Sequence, residues 1–337
     1  MTVKQEINKS EIIKTTERKA WIDALRALAI IMVVLGHQVK GEYGYFLFTS
    51  PVKMPLFFAI SGYLFNMRDG NSQLFWKNWF YRIIIPWFGL ALIISLPHIV
   101  FGFNPLHFLY DLVSGKRLWF MPCFAIAEII YFYICKYAKE EVSIIVCLLC
   151  CTALGFLANA NNFLNFAMIN RSFVAQSFFL IGYLFKQHQN ELNKIKWKYI
   201  FFMCFLYLGS CWVSIMLFTD VRIDVHSNHY YNIPFCFYLI FLGVFVLIIG
   251  ASKSNFSNHI LNIIGQNTLI LYIWHKQIIL ILVYCMSVLQ IPSPNFWLFA
   301  VIKTIWAIII CNICAAFFNK YIPVLVGKKN RPHSLRK

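Results

Sequence analysis

WIDALRALAIIMVVLGHQV (residues 21–39) is an apolar stretch long enough to cross a bilayer, and it carries Arg26 and His37. An α-helix turns by about 100° per residue, so eleven residues bring the chain back to within roughly 20° of the same face. The two side chains therefore share one stripe of a single helix, about 16 Å apart along its axis. Ionisable residues inside a membrane span cost free energy, and their presence indicates a functional site.

The rest of the chain repeats this apolar pattern. Of its 337 residues, 60% are hydrophobic and 13% are charged, whereas soluble domains are about 25% charged. Apolar stretches of about 20 residues follow one another from end to end, separated by short polar patches. The sequence predicts an all-α polytopic membrane protein of about ten transmembrane helices, with no separate soluble domain. The predicted spans are 20–39, 46–66, 82–101, 118–136, 142–159, 172–185, 198–217, 232–250, 267–289 and 296–319.

The positions of lysine and arginine predict which side of the membrane each loop faces. With ten spans, the two tails and the loops on their side carry 21 of the 30 basic residues. The five in the opposite loops are Lys40, Lys116, Arg117, Arg171 and Arg222. Basic residues collect on the cytoplasmic side, so both termini are predicted to be cytoplasmic. The net charge of +17 then reflects a rim that faces anionic lipid, and it implies no nucleic acid partner.

This topology divides the chain into a cytoplasmic N-terminal tail (1–19), one membrane domain (20–320) and a basic cytoplasmic C-terminal tail (321–337). The eleven cysteines lie almost entirely within predicted spans, and none has zinc-ligand spacing to a histidine. They are interpreted as small buried hydrophobic residues, so neither a disulfide framework nor a metal site is expected.

His37 is the main candidate for chemistry. A neutral imidazole in a low-dielectric cavity is a good general base for a hydroxyl, because its pKa lies near the working pH. Asp23 and Arg26 lie three residues apart on the same helix, where they are neighbours that can pair. The alternative is a structural histidine at the end of a helix, bonded to a nearby carbonyl.

A cytoplasmic anion site is predicted in RDGNSQLFWKNWFYRIIIPW (68–87). Arg68, Lys77 and Arg82 would bind phosphates, and Trp79 is among the aromatic residues on which a base would stack. The alternative is an interfacial aromatic belt with the positive charge typical of a cytoplasmic loop.

Other residues are candidates for lining the site, namely Lys53, Ser61, Trp119, Glu128 and His275. A membrane glutamate should find a cation or become protonated. Ser61 is also a small residue that lets helices approach closely, and His275 is equally suited to a structural role. His226 and His229 fall in a polar loop and are interpreted as solvated, with contact to a sugar left open.

The sequence resembles the acyltransferase 3 family of integral-membrane O-acyltransferases, in the branch of fucose 4-O-acetylase-like and O-antigen acetylases. The resemblance runs from about residue 20 to 320. The motifs that carry it occur in order, as WIDALRALAIIMVVLGH, KMPLFFAISGYLF, FYRIIIPW, LWFMP, AQSFFLIGYLF and GQNTLILYIWH. The family's Arg-x10-His motif falls on Arg26 and His37. Many relatives carry a further arginine where this chain has Asn78, and a histidine where it has Lys53.

The resemblance implies a bacterial inner-membrane enzyme that transfers an acyl group from cytoplasmic acetyl-CoA to a hydroxyl of a cell-surface or lipid-linked glycan. His37 would act as general base or would carry the acyl group, and no metal or prosthetic group is expected. The oxyanion would be stabilised by Ser61, Lys53 or Trp119.

Three other classes stay open. A transporter or flippase for a lipid-linked glycan also suits ten spans with buried charges, although no symmetry between halves is visible. A haem or quinone protein would use His37, His98 and His275, which requires matched depth on facing helices. The last class is an inactive sensor or scaffold on an acyltransferase frame.

Overall fold

The computed structural model describes residues 19–66, 72–99, 104–217, 222–292 and 295–328, with the side chains of 97–99 excluded. Arg68, a predicted site residue, lies outside the described residues. So do residues 1–18 and 329–337, which make up most of the two predicted tails. The side chain of His98, proposed above as a haem ligand, is also outside them.

The described chain is almost entirely helical. Its first helices are α1 (Ala20–Gln38), α2 (Tyr43–Lys53), α3 (Pro55–Leu64), α4 (Ser72–Trp79), α5 (Ile85–Ile99), α6 (Pro105–Ser114), α7 (Phe120–Tyr137) and α8 (Glu141–Ala160). The remaining helices are α9 (Ile169–Val174), α10 (Gln176–Gln187), α11 (Gln189–Leu192), α12 (Trp197–Leu217), α13 (Ile233–Lys253), α14 (His259–Gln266), α15 (Thr268–Val288) and α16 (Phe296–Tyr321).

Shorter elements connect some of these helices. A π-helical turn, Phe80–Ile84, joins α4 to α5, and 3₁₀ turns occupy Phe166–Met168 and Pro323–Val326. Strands β1 (Ile223–Asp224) and β2 (His229–Tyr230) form a small antiparallel ladder before α13, with Ile223 opposite Tyr230.

Eight helical segments of the described chain are long and apolar enough to cross a membrane. They are α1, the continuous segment Ser72–Leu96, α7, α8, α12, α13, α15 and α16. These segments confirm the prediction of an all-α polytopic membrane protein. Their bounds lie within a few residues of the predicted spans, except at the start of the third, which begins at Ser72. Much of the predicted loop 68–87 is therefore helix.

The predicted spans 46–66 and 172–185 are wrong as single helices. The first breaks at Met54 between α2 and α3, because Pro55 has no N–H to continue the backbone ladder. The second breaks at Ala175 between α9 and α10. There Gln176 donates to the carbonyl of Ser172, and Ser177 to that of Val174. Such bonds from side chains back to the helix compete with helical pairing and bend the chain.

Two glycines let the helices around α1 approach at backbone distance. A β-carbon on Gly265 of α14 would lie 1.8 Å from the carbonyl oxygen of Asp23 in α1. A β-carbon on Gly182 of α10 would lie 1.8 Å from the carbonyl oxygen of Ala59 in α3. Only glycine permits contacts this close. They seat α14 against the start of α1 and α10 against α3.

Candidate active site between two cavities

Two cavities lie along α1. The His37 cavity has a volume of about 950 Å³ and reaches the last turn of the helix at Gly36 and His37. The Arg26 cavity has a volume of about 800 Å³ and is lined by Arg26 and Ile30. The two residues on the predicted stripe of α1 therefore line different cavities, His37 one and Arg26 the other.

Met54 and Tyr272 line both cavities and form the boundary between them. Met54 occupies the break between α2 and α3. Tyr272 lies in α15, and its hydroxyl accepts a hydrogen bond of 3.1 Å from the backbone N–H of Phe120 at the start of α7. The two cavities therefore adjoin at these side chains, one of them a flexible methionine, and each cavity is large enough for a small molecule.

His37 lies against His275. The two rings stack with centroids 5.0 Å apart and planes 23° from parallel. His275 is buried at 2% exposure, and its Nδ1 lies 2.8 Å from the carbonyl oxygen of Leu271 and 3.0 Å from that of Tyr272. Both partners are acceptors, so Nδ1 carries the proton and Nε2 of the neutral ring is an acceptor. Nε2 is buried without a partner among the described residues.

This contact bears on the haem alternative. His37 and His275 lie side by side in the structure, because their rings stack. Two stacked rings cannot place nitrogens on opposite faces of one haem iron, which bis-histidine ligation requires. Within the described chain, no group of three His, Cys, Asp or Glu side chains is arranged to hold a metal ion.

Lys53 places a positive charge beside the end of α1. Its Nζ lies 4.6 Å from the centre of the Phe46 ring. The same atom lies 3.5 Å from the position that a β-carbon on Gly36 would occupy. The absence of a side chain at Gly36 therefore lets the ammonium group reach the turn that carries His37.

The Arg26 cavity holds two arginines and a buried glutamate. Nη2 of Arg82 bonds Oε1 of Glu128 at 3.1 Å, and the Glu128 side chain is 7% exposed while that of Arg82 is 59% exposed. Arg26 lies 3.7 Å from Asp23, one turn earlier on α1. Glu128 engages one nitrogen of the Arg82 guanidinium, and because the Arg82 side chain is 59% exposed, its other nitrogens are accessible to an anion.

The π-helical turn determines which side chains face this cavity. Pro86 has no N–H for the carbonyl of Arg82, and the N–H of Ile85 bonds the carbonyl of Phe80, five residues back. Asn78, Trp79 and Arg82 line the cavity, and the indole N–H of Trp79 donates to the carbonyl of Ala125 at 3.0 Å. Lys77 is exposed and lines neither cavity.

The other predicted residues divide between the two cavities. Ser61 and Glu128 line the Arg26 cavity, whereas Lys53, Trp119 and His275 line the His37 cavity. Asp23 is buried and lines neither cavity. Its Oδ2 accepts a hydrogen bond from Gln266 at 3.5 Å, and it contacts Arg26. His226 lines the His37 cavity and packs on Trp119, with ring centroids 5.2 Å apart. His229 lines neither cavity.

Most of the positive charge around His37 belongs to residues that were not predicted to line the site. Six basic residues line this cavity, namely Lys40, Lys53, Lys116, Arg117, Arg222 and Lys276. Four of them are among the five basic residues that the sequence places in non-cytoplasmic loops. Basic residues are rare in such loops, so their presence could have indicated a site. On the other side, Gly327 and Lys328 bring the end of the described chain to the Arg26 cavity.

The fold and the two cavities define a polytopic membrane protein with a cavity that contains His37 at one end of α1 and a cavity that contains Arg26 at the other. A family model described as an acyltransferase domain matches residues 19–316, so the chain belongs to the acyltransferase 3 family. It is therefore a membrane acyltransferase, and the match includes α1 and nearly all of the lining of both cavities. Neither curated proteins nor solved structures gave a match to this chain.

Proposed function

We propose that this chain is a membrane O-acetyltransferase of the bacterial inner membrane. Acetyl-CoA from the cytoplasm binds in the Arg26 cavity, and a hydroxyl of a cell-surface or lipid-linked glycan enters the His37 cavity. One observation carries the proposal, which is that the two cavities meet at Met54 and Tyr272 with His37 on one side and Arg26 on the other. Group transfer between two separately bound substrates requires such an arrangement.

The donor side matches the chemistry of coenzyme A. Its phosphates are anions, for which guanidinium groups such as those of Arg82 and Arg26 are strong partners. Its adenine has a flat face, and Trp79 and Phe75 among the lining residues offer aromatic surface. The loops at this end of the protein are rich in lysine and arginine, and the positive-inside rule assigns that side to the cytoplasm. The acetyl thioester then reaches the boundary at Tyr272.

The acceptor side supplies the base. His37 takes the proton from the acceptor hydroxyl as its oxygen attacks the thioester carbonyl carbon. The new carbon–oxygen bond forms, the carbon–sulfur bond breaks, and the proton on His37 passes to the sulfur of the departing coenzyme A. Lys53, whose Nζ lies beside Gly36 in the last turn of α1, stabilises the oxyanion that forms between the two steps.

Family membership and the division into two cavities favour group transfer over transport of a glycan. A transporter moves one molecule past a fixed site. Here the cavity at one end of α1 is lined by His37 and the cavity at the other end by Arg26 and Arg82, which suits two different ligands. The boundary at Tyr272 is also held by its bond to the start of α7.

The direct test uses the purified protein, acetyl-labelled acetyl-CoA and membranes from cells that lack this gene as the source of acceptor. Wild-type protein should transfer the label to glycan. His37→Gln, which replaces the imidazole with an uncharged amide that cannot act as a base near neutral pH, should lower the rate by about 10²–10⁴-fold, the usual contribution of a general base. Retained transfer by a His37→Gln protein that inserts normally would exclude His37 from the chemistry. Absence of transfer by wild-type protein would contradict the proposed activity.

A further inference from the structure

We propose that the glycan acceptor of this chain is anionic and that it carries a carboxylate or a phosphate close to the hydroxyl that receives the acyl group. This inference rests on the proposed function and adds the chemical class of the acceptor. It follows from the charges that line the His37 cavity.

The lining of this cavity is strongly unbalanced in charge. Among the described residues it includes six lysines and arginines but a single acidic residue, Asp224. A cleft lined by one sign of charge focuses its field and concentrates ligands of the opposite sign. An uncharged sugar would gain nothing from this field, and a cationic one would be repelled.

The one acidic residue is already engaged. Oδ1 of Asp224 accepts from the backbone N–H groups of His226 and Ser227, at 2.9 and 3.3 Å, and Oδ2 accepts from the Ser227 hydroxyl at 2.7 Å. The carboxylate is therefore used to build the turn between β1 and β2. It compensates only part of the positive charge around it.

Three of the cations take part in no ion pair within the described part of the chain. Arg117 pairs with Asp111 at 3.4 Å. In contrast, none of the ion pairs found in the described part of the chain joins Lys40, Lys53 or Lys276 to a carboxylate. These three ammonium groups lie near the proposed chemistry, since Lys40 follows His37 by three residues, Lys276 is next to His275, and Lys53 is beside Gly36.

The position of these cations is unusual for a membrane protein. Lysine and arginine are depleted from loops that face away from the cytoplasm, and the sequence places only five there. Four of those five line this one cavity, and Lys53 and Lys276 join them from α2 and α15. Snorkelling toward lipid headgroups would spread such residues around the rim of the protein. Their convergence on one cavity instead matches an anionic ligand.

The experiment follows the labelled acetyl group into its product. Purified protein transfers label from acetyl-CoA to membranes of cells that lack the gene, and the released glycans are separated by anion exchange. We expect the label in the retained, anionic fraction. Label in the neutral fraction would overturn the inference and leave the proposed function intact. Label in no glycan fraction would remove the proposed function and this inference with it.

Two treatments then separate the sources of charge. Amidation of carboxylates with a carbodiimide removes retention if the charge is a carboxylate. Mild acid followed by phosphatase removes retention on the column if the charge is a phosphate. Loss of retention after either treatment supports the inference and identifies the anion, whereas retention after both would contradict it.

A double variant tests whether the lysines of the His37 cavity bind the acceptor. Lys40→Met with Lys276→Met removes two of the unpaired charges, and we expect the KM for the acceptor to rise at least about tenfold, as loss of a charge-assisted contact predicts. The KM for acetyl-CoA should stay unchanged. Lys303→Met is the matched control, because Lys303 is a membrane lysine that lines neither cavity. Equal acceptor KM values for the double variant and the control would contradict the inference.

Discussion

The imidazole rings of His37 and His275 stack face to face with centroids 5.0 Å apart, although 238 residues separate them in the chain. His275 is fixed by its Nδ1 contacts to the carbonyls of Leu271 and Tyr272. His37 is half-buried and opens to the cavity. The buried ring thus acts as a platform that limits the rotation of the ring proposed to perform the chemistry, and His275 is a positioning residue.

The first prediction tests whether His275 acts through its ring surface or through its nitrogens. His275→Phe keeps a ring against His37, and we expect a kcat within about threefold of wild type. His275→Ala removes the platform, and we expect kcat to fall by about tenfold to a hundredfold with little change in either KM, because misplacing a catalytic group by about 1 Å costs up to 10²-fold. Steady-state kinetics with both substrates measure this. Equal losses in the two variants would show that a nitrogen of His275, and not its surface, is required.

The second prediction concerns the donor side. Arg82→Met should raise the KM for acetyl-CoA at least about tenfold, because a guanidinium that binds phosphate is lost. It also removes the hydrogen-bonded partner of the buried Glu128 carboxylate, which destabilises the protein. Combining it with Glu128→Gln removes the buried charge. The double variant should recover thermal stability in detergent while its KM stays high.

Lys77→Met is the control for Arg82. It removes a positive charge from the same helical segment, but Lys77 is exposed and lines neither cavity. We expect its acetyl-CoA KM to match that of wild type. A KM that rises as much in Lys77→Met as in Arg82→Met would mean that the phosphates bind outside the cavity.

The features that the sequence predicted well are those set by neighbouring residues. Helix α1 was expected at 20–39 and is found at Ala20–Gln38, because its length and apolar content are local properties. The stripe that joins Arg26 to His37 follows from helical periodicity alone. The pairing of Asp23 with Arg26 follows from their spacing of three residues.

The features that the sequence could not predict depend on packing between distant helices. The contact between His37 and His275 is set by how α15 lies on α1. The pairing of Arg82 with Glu128 requires the π-helical turn, which shifts the face of the helix by a fraction of a turn. Lys77 and Asn78 are neighbours on α4, where consecutive side chains point about 100° apart, so only Asn78 lines the cavity.

The third prediction concerns the close approach of α10 to α3. Gly182→Ala would place a β-carbon 1.8 Å from the carbonyl oxygen of Ala59. Backbone atoms cannot yield by rotating, so the helices must separate, and we expect a loss of at least about 1–3 kcal/mol, the usual cost of overpacking. The control is Gly209→Ala in α12, where the added β-carbon meets no atom within 4 Å. Thermal unfolding in detergent should show a lower Tm for the first variant only, and equal Tm values would contradict the packing described.

The fourth prediction is a pH dependence in a loop outside the membrane spans. A hydrogen bond to Glu141 at 3.0 Å raises the pKa of His188 above its ordinary value of 6.5. Because the folded protein then binds the proton more tightly, the contact stabilises the fold below about pH 6.5. Its contribution is lost as the pH rises through the folded pKa. NMR titration of labelled histidine should show a higher pKa for His188 in wild type than in Glu141→Gln, and identical titration curves would contradict the contact.

The last prediction distinguishes direct transfer from an acetylated enzyme. His37 lines the cavity proposed for the acceptor and not the one proposed for the donor, and in that arrangement the acceptor oxygen would lie nearer to the ring than the thioester would. We therefore expect attack by the hydroxyl itself, with His37 carrying only a proton. Protein incubated with acetyl-labelled acetyl-CoA and no acceptor, then denatured, should hold no more label than His37→Gln. Label on wild-type protein that is absent from His37→Gln and is released when acceptor is added would instead establish an acetyl-histidine intermediate, and the thioester would then have to reach past Met54 before the glycan binds.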